Sequence, residues 1–263
     1  MRLGFIGAGN MAQAMIGGIL AKEIVKKEDI TASAATQKTI DKVAKEFGIN
    51  VTLDNREVAK ADIVFLAVKP FYYEEVIDGI KDVVDEKQLI ISVAAGKSVE
   101  WVENAFGGKK KIVRIMPNTP ALVGEAVTAI CPNANITDGE KQEIVELIAS
   151  FGLAQIVSEK IMDAVIAVSG SSPAYVFMFI EAMADAAVAE GMPRVQAYQF
   201  AAQSVLGSAK MVLETGKHPG ELKDMVCSPS GTTIEAVKVL EEKGFRSSII
   251  EAMSACADKS RNM

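Results

Sequence analysis

Apolar and polar residues follow two patterns in the first part of the chain. Short apolar runs, typical of buried strands, are separated by stretches in which apolar residues recur every three or four positions, typical of helices. The predicted strands are residues 2–6, 30–33, 63–68, 89–93, 111–115, 126–131 and 154–157. The predicted helices include residues 38–47, 72–84, 99–106 and 139–150, besides one directly after the first strand. This alternation predicts right-handed crossovers and a mainly parallel sheet covered on both faces.

The pattern changes after residue 157, where helical windows follow one another. They span residues 160–168, 173–190, 194–215, 219–227, 232–242 and 245–260. We therefore predict the α/β class, with a doubly wound domain over residues 1–157 followed by an all-α domain over residues 158–263. The 173–190 helix is apolar on most sides, and such a helix must be covered on every face. We expect a homodimer formed through the helical domain.

The first strand runs into a glycine turn that reads Gly7-Ala8-Gly9-Asn10-Met11-Ala12. This is a G-x-G-x-x-A pattern between a strand and a helix. The first Gly permits a tight turn, the second lets the backbone approach a pyrophosphate, and the small Ala12 lets helix and strand pack closely. Free N–H groups at the helix start favour an anion. We predict a Rossmann-like dinucleotide site; a tight turn without a ligand is the alternative.

The end of the second strand indicates which dinucleotide is bound. An acidic residue there would accept a hydrogen bond from a ribose 2′-hydroxyl, but residues 31–38 read Thr-Ala-Ser-Ala-Ala-Thr-Gln-Lys. Hydroxyl groups and Lys38 can accommodate a 2′-phosphate, so Ser33 and Ala34 are candidate contacts and NADPH is favoured, with NADH still possible. Capping of the helix that begins near Lys38 is the alternative role for these residues.

Later strands also end in candidate ligand residues. Ala67-Val68-Lys69-Pro70 and Ala94-Ala95-Gly96 follow two buried strands, and parallel sheets bind ligands at the carboxyl ends of their strands. Lys69 can equally be a solvated charge. Asn118, in the loop Met116-Pro117-Asn118-Thr119-Pro120, can hydrogen-bond a nicotinamide carboxamide or cap its own turn.

Composition narrows the classes of partner. The 28 Lys and Arg against 34 Asp and Glu give a formal net charge of −6, which argues against a nucleic-acid partner. Cys131, Cys227 and Cys256 lie far apart, so we predict neither a disulfide framework nor a metal site, and a cytoplasmic location. Acidic residues interrupt the most apolar helix, so no membrane span is expected.

A hydroxyl-rich segment precedes one of the later helices. Residues 227–233 read Cys-Ser-Pro-Ser-Gly-Thr-Thr, and hydroxyls with free backbone N–H groups at a helix start offer donors to a small carboxylate. An ordinary helix cap is the alternative. The single histidine, His218, lies between Lys217 and Pro219 and is interpreted as a loop residue.

Six motifs together resemble the pyrroline-5-carboxylate reductase family. They are residues 5–12, 67–70, 116–120, 169–175, 218–220 and 228–233. The resemblance implies a Rossmann-like domain joined to a helical dimerisation domain, and assembly of dimers into larger rings. It also implies NAD(P)H-dependent reduction of a small molecule, L-1-pyrroline-5-carboxylate, to L-proline in the last step of proline biosynthesis.

The resemblance also implies site residues. On the cofactor side these are Ala8, Gly9, Asn10, Met11, Asn55, Ala67, Val68, Lys69, Pro70, Ala94, Ala95 and Gly96, to which the motif adds Gly7. On the substrate side they are Ser228, Gly231, Thr232, Thr233 and Glu159. We interpret Thr233 as the catalytic residue. Because a threonine hydroxyl is a poor acid, it would orient the imine nitrogen or a water rather than deliver a proton.

Two departures from the family pattern concern backbone conformation. Ser230 and Ser172 stand where the family usually has glycine. If either position needs a positive φ, the cost is about 1 kcal/mol or more. We expect this to alter the grip on the carboxylate and to leave the reaction unchanged.

Two other classes of function also fit the sequence. One is another two-domain NADPH-dependent imine reductase, or a β-hydroxyacid dehydrogenase, which would ordinarily place a Lys base inside the first long helix of the second domain; residues 169–175 contain none. Another is a dinucleotide-sensing module without catalysis. All catalytic interpretations expect the glycine turn and the hydroxyl-rich segment to face one cleft.

Overall fold

The computed structural model describes residues 1–262, within which eight strands form one sheet in the order β3-β2-β1-β4-β5-β6-β7-β8. The strands are β1 (Leu3–Ile6), β2 (Ile30–Ser33), β3 (Asn50–Thr52), β4 (Ile63–Leu66), β5 (Leu89–Ser92), β6 (Lys111–Met116), β7 (Ala126–Pro132) and β8 (Gly152–Ile156). Neighbouring strands are parallel except for β6 and β7. The predicted, mainly parallel sheet is confirmed.

Short helices connect the strands, and several begin at residues suited to capping. The connecting helices are α1 (Asn10–Ala21), α2 (Gln37–Phe47), α3 (Asn55–Val58), α4 (Tyr73–Ile80), α5 (Val99–Ala105) and α6 (Asp138–Ile148), and α7 (Met162–Val165) follows β8. Thr36 caps α2 by accepting from the Thr39 N–H at 3.3 Å. Thr137 and Glu140 cap each other's backbone at the start of α6. Such caps satisfy N–H groups that a helix cannot pair internally.

Three parts of this region differ from the prediction. β3 and α3 are absent from the prediction. They have only 3 and 4 residues, which are too few to show a periodic pattern of apolar positions. β7 reverses direction because the loop from residue 117 to residue 125 is too short for a parallel crossover. The predicted 160–168 helix is instead a 3-10 turn (Glu159–Ile161), α7 and a π-helix (Ile166–Gly170).

The core lies on both faces of the sheet because alternate strand residues point to opposite sides. Leu3 and Phe5 of β1 pack on one face with residues of α1 and α6. Ile6 packs on the other face with residues of α4 and α5. Burial on both faces explains why these strands read as continuous apolar runs.

The chain divides into two compact units. Unit 1 comprises Met1–Ser171 together with the chain from Ala257, and unit 2 comprises Ser172–Cys256. Unit 2 is helical and contains α8 (Ser172–Ala189), α9 (Arg194–Thr215), α10 (Pro219–Val226), α11 (Thr232–Glu242) and most of α12 (Phe245–Arg261). The predicted change from alternating strands and helices to helices alone is thus confirmed.

Unit 2 leaves most of its apolar side chains exposed. Between residues 172 and 256, the buried apolar side chains are Ala184, Ala197 and Ala201, which pack where α8 meets α9. Large apolar side chains point outward, among them Phe177, Met178, Phe200 and Leu213, which are 61%, 68%, 65% and 79% exposed. An apolar surface of this kind normally marks an interaction site.

One stretch has the length and composition of a membrane-spanning helix. Among residues 1–262 it is Glu159–Ala189, with a mean hydropathy of 1.4. It passes on those two criteria even though Glu181 and Asp185 lie within it, which differs from the expectation above. A single such stretch is weak support for a membrane span, because apolar helices of helical bundles meet the same criteria.

Candidate functional site

Gly7 occupies a position that only glycine can fill without movement of the backbone. Its φ is +96°, and an added Cβ would lie 2.8 Å from the Ala67 carbonyl carbon and oxygen and from the Val68 nitrogen. Its N–H donates to the Ser33 carbonyl at 3.1 Å. Gly7 therefore lets the ends of β1, β2 and β4 approach one another closely.

Gly9 is open, and it begins a helix whose first turn is available to a ligand. An added Cβ on Gly9 would have no heavy atom of the described residues within 4 Å. Gly9 caps α1 with φ −73°, and its first turn, as described, has neither a side-chain cap nor an acidic residue. Nearby, the Gln13 Nε2 donates to the Ala8 carbonyl at 2.7 Å and steadies the turn. Open space above uncapped N–H groups suits a phosphate.

The end of β2 carries a buried hydroxyl that is joined to another predicted cofactor residue. Ser33 is fully buried, and its Oγ donates to the Asn55 Oδ1 at 2.6 Å. Asn55 is held at the start of α3, where the Asp54 carboxylate accepts from the Arg56 N–H at 2.8 Å. The bond from the Ser33 Oγ orients the Asn55 amide. Thr36 does cap α2, as the alternative interpretation expected for this segment.

A buried tyrosine joins the ends of β4 and β5. The Tyr73 hydroxyl donates to the Leu66 carbonyl at 2.5 Å and accepts from the Val93 N–H at 3.1 Å. Burial raises the pKa of Tyr73 to about 12, so the hydroxyl stays protonated and acts as a structural link. This role could not be predicted from the sequence, because a tyrosine in an amphipathic helix carries no signal that identifies a bond to two strands.

A small hollow lies beside these strand ends. It measures about 220 Å³ and is lined by Pro70, Phe71, Ala95, Gly96 and Lys97. The Lys97 ammonium lies 3.8 Å above the ring of Trp101. Three of the lining residues, Pro70, Ala95 and Gly96, are predicted cofactor contacts, so the hollow extends the predicted site along the sheet edge.

The predicted cofactor residues of unit 1 thus come together. β1, β2, β4 and β5 are neighbours and parallel, so their carboxyl ends share one edge of the sheet. That edge carries Gly7, Ala8, Gly9, Asn10, Met11, Ser33, Ala34, Ala67, Val68, Lys69, Pro70, Ala94, Ala95 and Gly96, with Asn55 bonded to Ser33. The glycine turn and the strand ends thus lie at one edge of the sheet, and the buried Ser33 hydroxyl is bonded there to Asn55.

Glu159 is engaged inside unit 1. Its Oε1 accepts from the Arg114 Nη1 at 2.8 Å and from the Val99 N–H at 2.9 Å. Arg114 is buried, with 8% of its side chain exposed, so Glu159 neutralises a charge that would otherwise be costly to bury. The structure gives Glu159 a structural partner, and its predicted contact with substrate stays a prediction.

Two further polar residues of unit 1 are structural. Asn118 is buried, accepts from the Val127 N–H at 3.0 Å and donates to the Ser169 carbonyl at 3.0 Å. The Asn118 side chain makes no cap bond to its own 3-10 turn as described, so the capping interpretation is wrong, and its predicted contact with nicotinamide stays a prediction. Burial raises the pKa of the Cys131 thiol to about 11, which makes Cys131 a poor nucleophile.

The hydroxyl-rich segment of unit 2 forms a second uncapped helix start. Gly231 is the N-cap of α11, and its N–H donates to the Ser228 carbonyl at 3.1 Å. An added Cβ on Gly231 would lie 2.3 Å from the Ser228 Oγ. Thr232 and Thr233 are the first two residues of α11. No side chain caps the start of α11 as described, and a helix start of this kind suits a carboxylate.

Ser230 has a positive φ, the conformation that is costly for a residue other than glycine at this position. Its φ is +57°, in the left-handed region that disfavours residues with a Cβ. Ser172, by contrast, lies in helix α8, so the loss of glycine there costs little. His218 is the N-cap of α10, where its Nδ1 accepts from the Gly220 N–H at 3.0 Å, in agreement with its interpretation as a loop residue.

Comparison with known proteins gives two family matches. Residues 159–263 match the model described as pyrroline-5-carboxylate reductase dimerisation. Residues 2–96 match the model described as NADP oxidoreductase, coenzyme F420-dependent. Together the two matches cover the glycine turn and the hydroxyl-rich segment.

Full-length relatives agree with these matches. Pyrroline-5-carboxylate reductase of Escherichia coli is 51% identical over 100% of this chain and 98% of that protein. A solved structure of pyrroline-5-carboxylate reductase from Coxiella burnetii has a TM-score of 0.92 and 34% identity, covering 99% of this chain and 97% of that one. The Plasmodium falciparum pyrroline carboxylate reductase with NADP bound has a TM-score of 0.91 and 34% identity, covering 100% of this chain and 97% of that one.

Proposed function

This chain belongs to the pyrroline-5-carboxylate reductase family, and we propose that it reduces L-1-pyrroline-5-carboxylate to L-proline with a hydride from NADPH. The observation that carries the proposal is the edge of the sheet in unit 1, where the open Gly9 precedes the uncapped helix α1. Identity of 51% to a reductase over the full chain supports the same reaction.

The residues present fit a dinucleotide. Gly7 removes the methyl group that would separate β1 from β4, and Gly9 leaves room for a pyrophosphate above the N–H groups of α1. When bound, the reduced nicotinamide supplies the hydride. The strand ends Ala67–Pro70 and Ala94–Gly96 would hold the rest of the dinucleotide along the same edge.

We propose NADPH as the preferred cofactor, with NADH as the weaker one. Residues 31–38 contain no carboxylate that would repel a 2′-phosphate. The Ser33 hydroxyl donates to the Asn55 Oδ1, and in this proposal the Asn55 Nδ2 would donate to the cofactor. Ala34 is a further contact in this proposal.

We propose that unit 2 holds the substrate carboxylate. Backbone N–H groups at the start of α11, together with the hydroxyls of Ser228 and Thr232, would donate to it. Thr233 would donate a hydrogen bond to the ring nitrogen, or hold a water there, and so favour the iminium form that accepts a hydride. Its role as the catalytic residue and the contact of Glu159 with substrate are parts of this proposal.

The decisive experiment measures turnover with three substrate sets. Purified full-length protein is given NADPH with pyrroline-5-carboxylate, NADP⁺ with 3-hydroxyacids, or NADPH alone, and nicotinamide absorbance is followed while proline is assayed as product. We expect turnover, with proline formed, in the first set alone. Oxidation of hydroxyacids would indicate the dehydrogenase alternative. NADPH binding without turnover in any set would indicate a sensing module.

We further propose that the protein works as a homodimer built on unit 2. The exposed side chains of Phe177, Met178 and Phe200 need a cover, and residues 159–263 match a dimerisation family model. A monomer mass that does not change with concentration would contradict this. Association of dimers into larger rings, a cytoplasmic location and the absence of nucleic-acid and membrane partners remain parts of the proposal; the free thiols of Cys131 and Cys227 support a reducing compartment.

A further inference from the structure

The amide of Asn118 joins three parts of unit 1 that are distant in sequence. It follows β6, accepts from the backbone of β7 at Val127, and donates to the backbone of the π-helix at Ser169, each at 3.0 Å. Asn118 is 7% exposed. Because both ends of its amide are used inside the protein, Asn118 acts through other residues.

The π-helix explains why a donor is needed at this position. The Ser171 N–H donates to the Ile166 carbonyl, five residues back, so the regular pattern of helical bonds is interrupted in the last turn of the segment. Ser169 is 6% exposed, and its carbonyl would be shielded from water. The Asn118 Nδ2 supplies its partner. Interruptions of this kind occur frequently at functional sites.

Asn118 lies at the same edge of the sheet as the proposed cofactor contacts. β6 is the parallel neighbour of β5, so the residues that follow Met116 lie beside Ala94–Gly96. The chain then forms a 3-10 turn (Thr119–Val123) that contacts α1. With the 2′-phosphate proposed at the end of β2 and the pyrophosphate over α1, the nicotinamide would lie over the ends of β4 and β5, next to β6. Asn118 is therefore the anchor of a loop that begins beside the proposed nicotinamide end and runs to α1.

We propose that Asn118 is a positioning residue for hydride transfer, which fixes the Thr119–Val123 loop against the reacting end of the site. The inference rests on the proposed reductase function. A loop displaced by about 1 Å can slow a reaction by about 100-fold while distant binding contacts persist. Loss of the Asn118 donor should therefore lower kcat and spare the affinity for NADPH.

Asn118→Asp tests this because it removes one bond and keeps the other. The carboxylate still accepts from the Val127 N–H and can no longer donate to Ser169. The control is Asn133→Asp, at a half-buried position where the Asn133 Nδ2 also donates to the Glu103 Oε2 at 3.1 Å. The Asn133 Oδ1 likewise accepts from the Ile112 N–H at 3.3 Å, and its Nδ2 donates to the Lys110 carbonyl at 2.8 Å, after β7 at the opposite edge of the sheet. Both full-length variants are compared with wild type for kcat, KM, NADPH Kd and Tm.

We expect Asn118→Asp to lower kcat by about 10- to 100-fold, with the NADPH Kd within about twofold of wild type, and Asn133→Asp to keep kcat within about twofold. The kcat of Asn118→Asp relative to wild type should rise as pH falls, because a protonated carboxyl again donates to Ser169. A purely structural role would lower Tm and leave the kcat of the folded protein near the wild-type value at every pH. Equal kcat losses in both variants, or a folded Asn118→Asp with wild-type kcat, would overturn the inference.

A second variant covers the case in which the buried carboxylate prevents folding. Asn118→Leu has a similar shape, adds no charge and removes both bonds. A folded Asn118→Leu with lowered kcat and unchanged NADPH Kd supports the inference, and one with wild-type kcat overturns it. If wild-type protein itself does not reduce pyrroline-5-carboxylate, the proposed function fails first, and that outcome is distinct from failure of the Asn118 variants.

Discussion

Gly7 and Gly9 lie in one turn, yet the structure predicts opposite consequences for a methyl group added at each. At Gly9, φ is −73° and the added Cβ meets open space among the described residues. Replacing glycine by alanine at a helix N-cap lowers the free energy of unfolding by up to about 1 kcal/mol. The stiffer unfolded chain returns about 0.4–1 kcal/mol. The free energy of unfolding of Gly9→Ala should thus stay within about 1 kcal/mol of wild type.

The cost of Gly9→Ala should appear in cofactor binding instead. Its methyl group would occupy the space through which a pyrophosphate reaches the N–H groups of α1. Loss of one hydrogen bond to a charged group removes about 1.5–3 kcal/mol. That corresponds to an increase in the NADPH Kd of about 10- to 150-fold.

Gly7→Ala should instead lower the stability of the fold. A residue with a Cβ at φ +96° is strained by about 1–2 kcal/mol. Its methyl group would also lie 2.8 Å from three backbone atoms of β4's end, so β1 and β4 must separate there. We expect the free energy of unfolding to fall by about 3 kcal/mol in total, which lowers Tm by about 6–12 °C in a chain of this size.

Thermal unfolding without cofactor and fluorescence titration with NADPH separate the two effects. Gly9→Ala should unfold like wild type and bind NADPH weakly, whereas Gly7→Ala should unfold early. The reasoning is wrong if Gly9→Ala binds NADPH within about twofold of wild type, or if it unfolds as early as Gly7→Ala.

Three further predictions address both units. Thr233→Ala should lower kcat/KM by about 10- to 1,000-fold, on the scale of a lost transition-state hydrogen bond, and steady-state kinetics with unchanged values would remove Thr233 from the mechanism. Ser230→Gly relieves left-handed strain at φ +57° and should raise the free energy of unfolding by up to about 1 kcal/mol; chemical denaturation that shows a loss would contradict this. A hydrogen bond from Lys111 is the main cause of the lowered pKa of Glu140, so the stabilisation is present above the unfolded-state pKa and is lost as pH falls through the folded-state value. Glu140→Gln should therefore reduce stability by about 1 kcal/mol near neutral pH and by less in acid, and equal losses at both pH values would refute the assignment.

The sheet and its glycine turn could be predicted from the sequence because their determinants are local. Apolar runs such as Leu3–Ile6 and Ile63–Leu66 are continuous since both faces are covered, and the spacing of Gly7 and Gly9 specifies a turn within a few residues. β3 could not be predicted in this way, because a strand of 3 residues depends on its neighbour β2 for its hydrogen bonds rather than on its own pattern.

The structural roles of several polar residues could not be predicted because their partners are distant. Arg114 and Glu159 are separated by 45 positions, and Asn118 and Ser169 by 51. Nothing in a local pattern distinguishes a glutamate that neutralises a buried guanidinium from one that contacts a substrate. The positive φ of Ser230 could be anticipated only because the family resemblance places glycine there.

The sparse interior of unit 2 has a consequence for how the protein persists in dilute solution. A helical unit whose buried apolar side chains, within residues 172–256, are three alanines gains little free energy from its own packing. If a second copy supplies the missing contacts, folding and association are linked by mass action. Dilution would then unfold this protein, as a denaturant does. A chain with a defective unit 2 would inactivate the normal chains with which it pairs.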